Sequence, residues 1–192
     1  MAFNFLPAPA NGFRLQPVGL SVAPMFCFAL LVTSCALASF ALACATPFAA
    51  FAVIAAAMLP VPRALLVVAG AWLVNQGIGF GAHHYPIDTK TMLWGVVIGI
   101  AALVATAVSA TVVRALPRSV TPIVLAVAWV CAYGAYELTL FAATPFLGGA
   151  GAFTVAIVAR LGMLSLVWLI GLVAVCEIVR LLNPFGSRHV IP

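Results

Sequence analysis

The stretch TKTMLWGVVIGIAALVATAVSATVVRAL, residues 89–116, decides the class of fold. Between Lys90 and Arg114 it contains no charged residue. A helix needs about 20 consecutive apolar residues to cross a bilayer core that is about 30 Å thick. This stretch is longer than that, so it predicts a membrane-spanning α-helix.

The whole chain has the same character. Of its 192 residues, 66% are hydrophobic and 6% are charged, and the mean hydropathy is +1.28. A soluble domain needs many more charged side chains to cover its surface. The length suits one compact bundle. We therefore predict an all-α integral membrane protein that forms a single transmembrane domain over residues 1–192.

The charged residues indicate topology rather than a nucleic-acid surface. The net charge is +5, from eight Lys and Arg against three acidic residues, and the basic residues lie singly between apolar runs. The five cysteines also lie in apolar runs, without a Cys-x-x-Cys pair. This pattern is typical of small buried side chains rather than metal ligands or disulfides.

Prolines, glycines and polar residues divide the chain into six predicted spans after an N-terminal interfacial segment, residues 1–20. The second span is short, so it is alternatively a re-entrant half-helix. The approximate bounds of the six spans are 22–45, 46–59, 63–80, 89–116, 120–143 and 153–182.

The distribution of basic residues predicts which side each loop faces, since cytoplasmic loops collect Lys and Arg. With six spans and both termini in the cytoplasm, six arginines face inward: Arg14, Arg63, Arg114, Arg118, Arg180 and Arg188. Lys90 and Arg160 then lie on the outer side. Five spans give a weaker bias, so the sequence favours six spans in a multi-pass protein of a cell's inner membrane.

The most polar segment, NQGIGFGAHHYPIDTK (residues 75–90), then leads from the third span into an outward loop. His83, His84 and Asp88 in this loop are possible metal ligands. Adjacent loop histidines rarely bind one ion, however, and no third histidine is near. We predict no metal site, and interpret the loop either as a gate that touches substrate or as an ordinary solvated loop.

Two charged residues fall inside apolar spans, where each costs about 2.5–3.5 kcal/mol on insertion scales. Glu137 and Arg160 lie at similar depths below the outer ends of the fifth and sixth spans. A short turn joins these spans, so we expect them to be antiparallel neighbours and the two residues to form an ion pair. Such a pair can hold the bundle together, bind a ligand, or do both.

Further polar side chains fall in the same outer half of the bundle. Asn75 and Gln76 end the third span, Trp94 begins the fourth, and Tyr133 and Tyr136 flank Glu137. The amides are alternatively hydrogen-bond partners between helices, and Trp94 alternatively belongs to an interfacial aromatic belt. Together with Glu137 and Arg160, they predict a substrate pocket that opens outward.

This one-sided polarity is typical of solute capture rather than of a channel, which needs polar groups along its whole path. The sequence contains neither a phosphate-binding loop nor a convincing Ser/His/Asp arrangement. We therefore predict a protein that is not an enzyme and carries no cofactor.

In its size, its six apolar spans and its outward polar cluster, the chain resembles the substrate-binding S components of energy-coupling-factor vitamin transporters. Members of that family dock on a membrane coupling subunit through small residues spaced by four on the first helix. Cys35, Ser39 and Ala43 have that spacing here. The resemblance implies a vitamin-like solute, a coupling subunit and two ATPase subunits as partners.

Two other readings stay open. A small apolar chain also suits a structural subunit of a respiratory or photosynthetic membrane complex, with the outward loop and the N-terminal segment as partner contacts. A metal permease that uses His83, His84 and Asp88 is a more distant alternative.

Overall fold

The computed structural model describes residues 14–42 and 45–182, and within them it contains only helices as regular structure. The predicted all-α class is therefore confirmed. The six helices are α1 (Ala23–Leu42), α2 (Phe48–Met58), α3 (Val61–Gly81), α4 (Thr89–Ala115), α5 (Thr121–Leu147) and α6 (Val155–Leu182). A short 3₁₀ turn, Ala150–Ala152, precedes α6.

Most predicted bounds agree with the helices, but α5 continues four residues beyond the predicted end at residue 143. It contains Pro145 in its last turn. A proline removes one backbone N–H and so leaves the carbonyl four residues earlier without its usual donor. The hydroxyl of Thr144 donates to the carbonyl of Phe141 at 2.8 Å, which replaces that hydrogen bond.

All six predicted segments are helical, but α2, the segment that the sequence left open as a half-helix, is too short to cross a bilayer core. The other five helices are long and apolar enough to cross a membrane. With 11 residues, α2 is about 16 Å long, roughly half the thickness of the bilayer core. Pro47 and Pro60 bracket the helix and limit its length.

The short helix α2 is the centre of the bundle. It contacts each of the other five helices, and every one of its residues is buried. Its sequence, FAAFAVIAAAM, is apolar on all faces, as expected of a helix that is surrounded by protein. The five long helices form a ring around it.

In this ring, α1 and α3 run parallel, because successive contacts advance by four residues on both helices. The thiol of Cys35 approaches the carbonyl of Ala71 at 3.2 Å, and Ser39 accepts a hydrogen bond from Asn75 at 2.9 Å. The segment 45–47 and α2 therefore return the chain to the end of the bundle at which α1 begins.

This packing corrects the prediction of a partner-docking surface. Cys35 and Ser39 are 0% and 1% exposed, because their small side chains let α1 lie close to α3. A buried side chain cannot touch a partner protein, so the docking prediction is wrong for these two residues. Ala43 lies outside the described residues.

The opposite flank of α3 packs on α4 through two glycines. The indole ring of Trp72 lies against Gly99, and its N–H donates to the carbonyl of Gly95 at 2.9 Å. Gln76, one turn further along α3, lies against Gly95. Glycine at both positions allows the large side chains of α3 to approach the α4 backbone.

Five arginines lie near one end of the bundle, which we call the arginine end: Arg14, Arg63, Arg114, Arg118 and Arg180. Arg14 is 7% exposed and donates to the carbonyls of Leu116 and Ser119, where α4 turns into α5. Its backbone N–H also donates to Ala57 of α2 at 2.9 Å. Arg188 lies outside the described residues, and a cytoplasmic arginine end stays a prediction.

Candidate functional site

A cavity of about 310 Å³ lies in the half of the bundle away from the arginine end. It lies above the first turn of α2, and the segment 45–49, α4, α5, α6 and the turn 149–153 line it. Its volume is at the lower end of the range for small-molecule sites. The cavity exists because α2 is short: the long helices continue past its N-terminus and enclose the space above it.

The N-terminus of α2 lies well below the surface of the bundle. Thr46, two residues before α2, accepts a hydrogen bond from Asn75 at 2.9 Å. Asn75 precedes the end of α3 at Gly81 by six residues, which is about 9 Å along the helix. The floor of the cavity is therefore roughly two helical turns deep.

One face of α5 supplies the most distinctive wall. Tyr133, Tyr136, Glu137 and Leu140 all line the cavity, and their spacing of three and four residues places them on one side of the helix. The ring of Tyr136 lies against Phe48 at the start of α2, with the ring centroids 6.4 Å apart. This contact joins the wall to the floor.

Two other helices and a turn complete the enclosure. Trp94 and Ile98 come from α4, and Phe153 comes from the turn before α6. The α6 residues Ile157, Leu161 and Ser165 recur every fourth position and so form a third wall.

Tyr133 also closes the side of the cavity toward a shallow groove between α5 and α6. Its hydroxyl donates to the carbonyl of Val158 at 2.6 Å, and its ring stacks on Trp129 with centroids 5.7 Å apart. The indole N–H of Trp129 in turn donates to Ser165 at 3.3 Å. These side-chain contacts join α5 to α6 along the cavity wall.

Of the seven residues predicted to bind substrate, the structure brings four together in this cavity: Trp94, Tyr133, Tyr136 and Glu137. The predicted ion pair between Glu137 and Arg160 is wrong. Within the described ranges the one ion pair joins Glu177 to Arg180 at 2.6 Å, near the arginine end. Glu137 is partly buried against the cavity, whereas Arg160 is exposed.

The direction in which Arg160 points explains this difference. The face of α6 that lines the cavity contains Leu161, and neighbouring positions in a helix differ by about 100°. Arg160 therefore lies on the flank of that face, exposed and outside the cavity lining, although its depth matches that of Glu137.

Asn75 and Gln76 do not line the cavity but form a hydrogen-bond network beside it. The side-chain N–H₂ of Asn75 donates to Ser39 and to Thr46, both at 2.9 Å, and Gln76 donates to Asn75 at 3.1 Å. Thr46 does line the cavity. The amides thus fix the position of a cavity residue and join α1, α3 and the segment before α2.

The loop between α3 and α4 lies outside the cavity lining. His83 places Nε2 3.1 Å from the carbonyl oxygen of Ser39, and its ring stacks on Tyr85 with centroids 5.8 Å apart. His84 adopts a positive φ of 51° at the bend. The loop is therefore anchored on the end of α1. Its role as a gate stays a prediction.

Asp88 has a structural role at the start of α4. It caps the helix by accepting hydrogen bonds from the backbone N–H and the hydroxyl of Thr91, at 2.9 and 3.0 Å. These bonds favour the carboxylate form and lower the pKa of Asp88 below its usual value. Among the described residues, no three His, Cys, Asp or Glu side chains converge on a possible metal position.

The sequence reasoning missed several cavity residues, because they are apolar or small. Thr46, Phe48, Phe153 and Leu161 belong to this group. Apolar side chains that face a cavity look the same in a sequence as those that face lipid. A four-residue spacing such as Ile157–Leu161 marks one helix face but does not tell which neighbour it meets.

Comparisons with protein-family models, with curated protein sequences and with solved structures found no match for this chain.

Proposed function

We propose that this membrane protein captures a small organic solute in the cavity above α2 and serves as the substrate-binding subunit of a transporter. The observation that carries the proposal is the convergence of Trp94, Tyr133, Tyr136 and Glu137 on one concave space. A concave, mostly apolar space with a few polar groups is the usual form of a small-molecule site.

The floor of the cavity favours capture over conduction. Below the cavity, the large α2 side chains Phe48, Phe51 and Ile54 are 0–1% exposed. A channel needs a continuous polar path, whereas here the packed centre of the bundle closes the space on one side. A solute that enters the cavity therefore needs a further conformational step, or a partner that drives one, to cross the membrane.

The resemblance to S components of energy-coupling-factor transporters supplies a candidate for that partner. A coupling membrane subunit with ATPases would drive release of the solute. Its docking surface would lie on exposed positions of the ring helices, since Cys35 and Ser39 are buried inside.

Native mass spectrometry of the full chain, gently purified in lipid nanodiscs, tests the proposal. We expect a bound small molecule, together with a coupling subunit and ATPases. Ala152→Trp, which fills the cavity, should remove the small molecule. Ala156→Trp is the matched control, since Ala156 is exposed on α6 and does not line the cavity.

Two results would contradict the proposal. One is an equal amount of bound solute in both tryptophan variants, which would place the solute elsewhere. The other is a preparation without solute that copurifies with redox or pigment proteins, which would favour a structural subunit of a respiratory or photosynthetic complex.

A further inference from the structure

The charge of the cavity lining points to the chemical class of the solute. We propose, building on the proposed function, that the ligand is a small, flat organic cation. Its positive charge lies against the carboxylate of Glu137, and its flat body lies between the aromatic rings of Trp94, Tyr133 and Tyr136.

Glu137 is the group that selects for positive charge. Among the described lining residues it is the one Asp or Glu, and none of them is Lys, Arg or His. The hydroxyl of Tyr133, one turn earlier on α5, donates instead to the carbonyl of Val158 at 2.6 Å. A carboxylate removed from water without a cation beside it is unfavourable, and a ligand cation would compensate its charge.

Glu177 gives an internal comparison. It lies near the arginine end of α6 and pairs with Arg180 at 2.6 Å. Glu137, the glutamate that lines the cavity, has no such ion pair within the part of the chain that the structure describes. Among the described residues no Lys, Arg or His pairs with Glu137, so a bound cation could complete an ion pair there.

The aromatic walls suit the same class of ligand. The faces of Trp and Tyr rings carry partial negative charge and attract cations within about 6 Å of the ring centroid. Trp94 comes from α4, whereas both tyrosines come from α5, so the rings approach the space from two sides. A flat ligand between them would meet aromatic rings on two sides while its charge reaches Glu137.

The N-terminus of α2 on the cavity floor does not reverse this preference. A helix N-terminus attracts anions through backbone N–H groups that have no internal partner. Here the N–H of Phe48 donates to Thr46, and those of Ala50 and Phe51 donate to Pro47, at 2.9–3.2 Å. Three of the first four N–H groups of the helix therefore already have acceptors.

The one lysine of the chain, Lys90, does not reverse the preference of the cavity for a cation. The ammonium group of Lys90 approaches Gly148 just outside the lining, and the lysine is exposed to solvent. Water and salt screen an exposed charge far more effectively than a partly buried one.

Isothermal titration calorimetry of the full chain in nanodiscs tests the inference with three probes of nearly equal shape. They are nicotinamide methylated at its ring nitrogen, which is a cation; nicotinamide, which is neutral; and nicotinate, which is an anion. We expect the cation to bind most tightly and the anion most weakly. Glu137→Gln should weaken binding of the cation about tenfold or more, and should weaken it more than it weakens binding of neutral nicotinamide.

Glu177→Gln is the matched control, because it removes one carboxylate far from the cavity and should change neither affinity. The selectivity among probes is measured on the unmodified protein, so a poorly folded Glu137→Gln variant does not prevent the test. Equal or tighter binding of the neutral or anionic probe would overturn the inference while leaving solute capture in place. Failure of all three probes to bind would also overturn the inference. The native mass spectrometry experiment, which detects a copurified solute, tests the proposed function separately.

Discussion

The contact between α3 and α4 predicts that Gly99→Ala destabilises the bundle. A Cβ atom added at Gly99 would lie 2.7 Å from Cε2 of Trp72 and 3.0 Å from two further indole atoms. Real Cβ contacts are longer, so the indole ring or the helix must move. The ring is rigid and is held by its hydrogen bond to Gly95 at 2.9 Å, so it cannot turn aside without losing that bond.

The size of the effect follows from these contacts. Inserting a methyl group into a well-packed interior costs about 1–3 kcal/mol. For a protein of this length, each kcal/mol lowers the melting temperature by about 2–4 °C. We therefore expect Gly99→Ala to melt about 2–12 °C below the unmodified protein. Gly171→Ala is the matched control, since nothing lies within 4 Å of a Cβ at that α6 position.

Thermal unfolding in detergent, followed by far-ultraviolet circular dichroism, measures both variants. A double-mutant cycle then identifies the cause. Trp72→Phe provides a smaller ring, so adding Gly99→Ala to it should cost at least about 1 kcal/mol less than adding it to the native ring. The reasoning is refuted if Gly99→Ala melts like Gly171→Ala, or if the two substitutions in the cycle are strictly additive.

Three other side chains give independent tests. Asn75→Ala removes two hydrogen bonds between segments and should lower the free energy of unfolding by about 1–2 kcal/mol, measured by the same thermal unfolding; an unchanged midpoint would contradict the network. The folded state lowers the pKa of Asp88 below its value in the unfolded chain, which is near 3.9. The Asp88 carboxylate therefore stabilises the folded protein above that pH, and this stabilisation is lost as the pH falls through the lower pKa of the folded state. Acid titration followed by circular dichroism should therefore show a stability loss below about pH 4 that is smaller in Asp88→Asn, and identical acid profiles would argue against the cap. Arg14→Gln frees two carbonyls at the turn between α4 and α5 and should lower local stability there by about 1.5–3 kcal/mol, seen as faster amide hydrogen exchange. Arg118→Gln, at an exposed position of the same turn, should leave the exchange rates unchanged, and equal rates in the two arginine variants would refute this role.

Hydropathy was sufficient to predict the helices, because the bilayer selects long apolar segments and prolines interrupt them. It could not predict the place of α2. An 11-residue apolar helix reads as a short span in the sequence, and only tertiary contacts show that protein surrounds it on every side. Hydropathy also could not predict where α5 ends. The helix continues past Pro145 because the hydroxyl of Thr144 replaces the missing backbone donor to the carbonyl of Phe141.

The sequence predicted how deep Glu137 and Arg160 lie along their helices, but not which way their side chains point. Counting residues from the ends of the spans placed Glu137 and Arg160 at the same level, and both do lie toward the same end. Which way each side chain points depends on the rotation of its helix about its axis. Helices that are apolar on nearly every face carry little information about that rotation, so Arg160 was assigned to the cavity although it lies outside the lining.

The same limit explains the docking prediction. Small residues spaced by four allow two helices to approach closely, whether the second helix belongs to another protein or to the same chain. Cys35 and Ser39 use that property within the chain, against α3. The spacing predicted a close helix contact correctly but could not identify the partner helix.

The shortness of α2 also changes how far a captured solute must travel. A helix of 11 residues fills about 16 Å of a hydrocarbon layer about 30 Å thick. A molecule resting on its first turn would already lie well within the layer, so the remaining barrier is about as thick as one small helix is long. Because α2 is buried against all five surrounding helices, passage of the molecule beyond it would require those packed contacts to change.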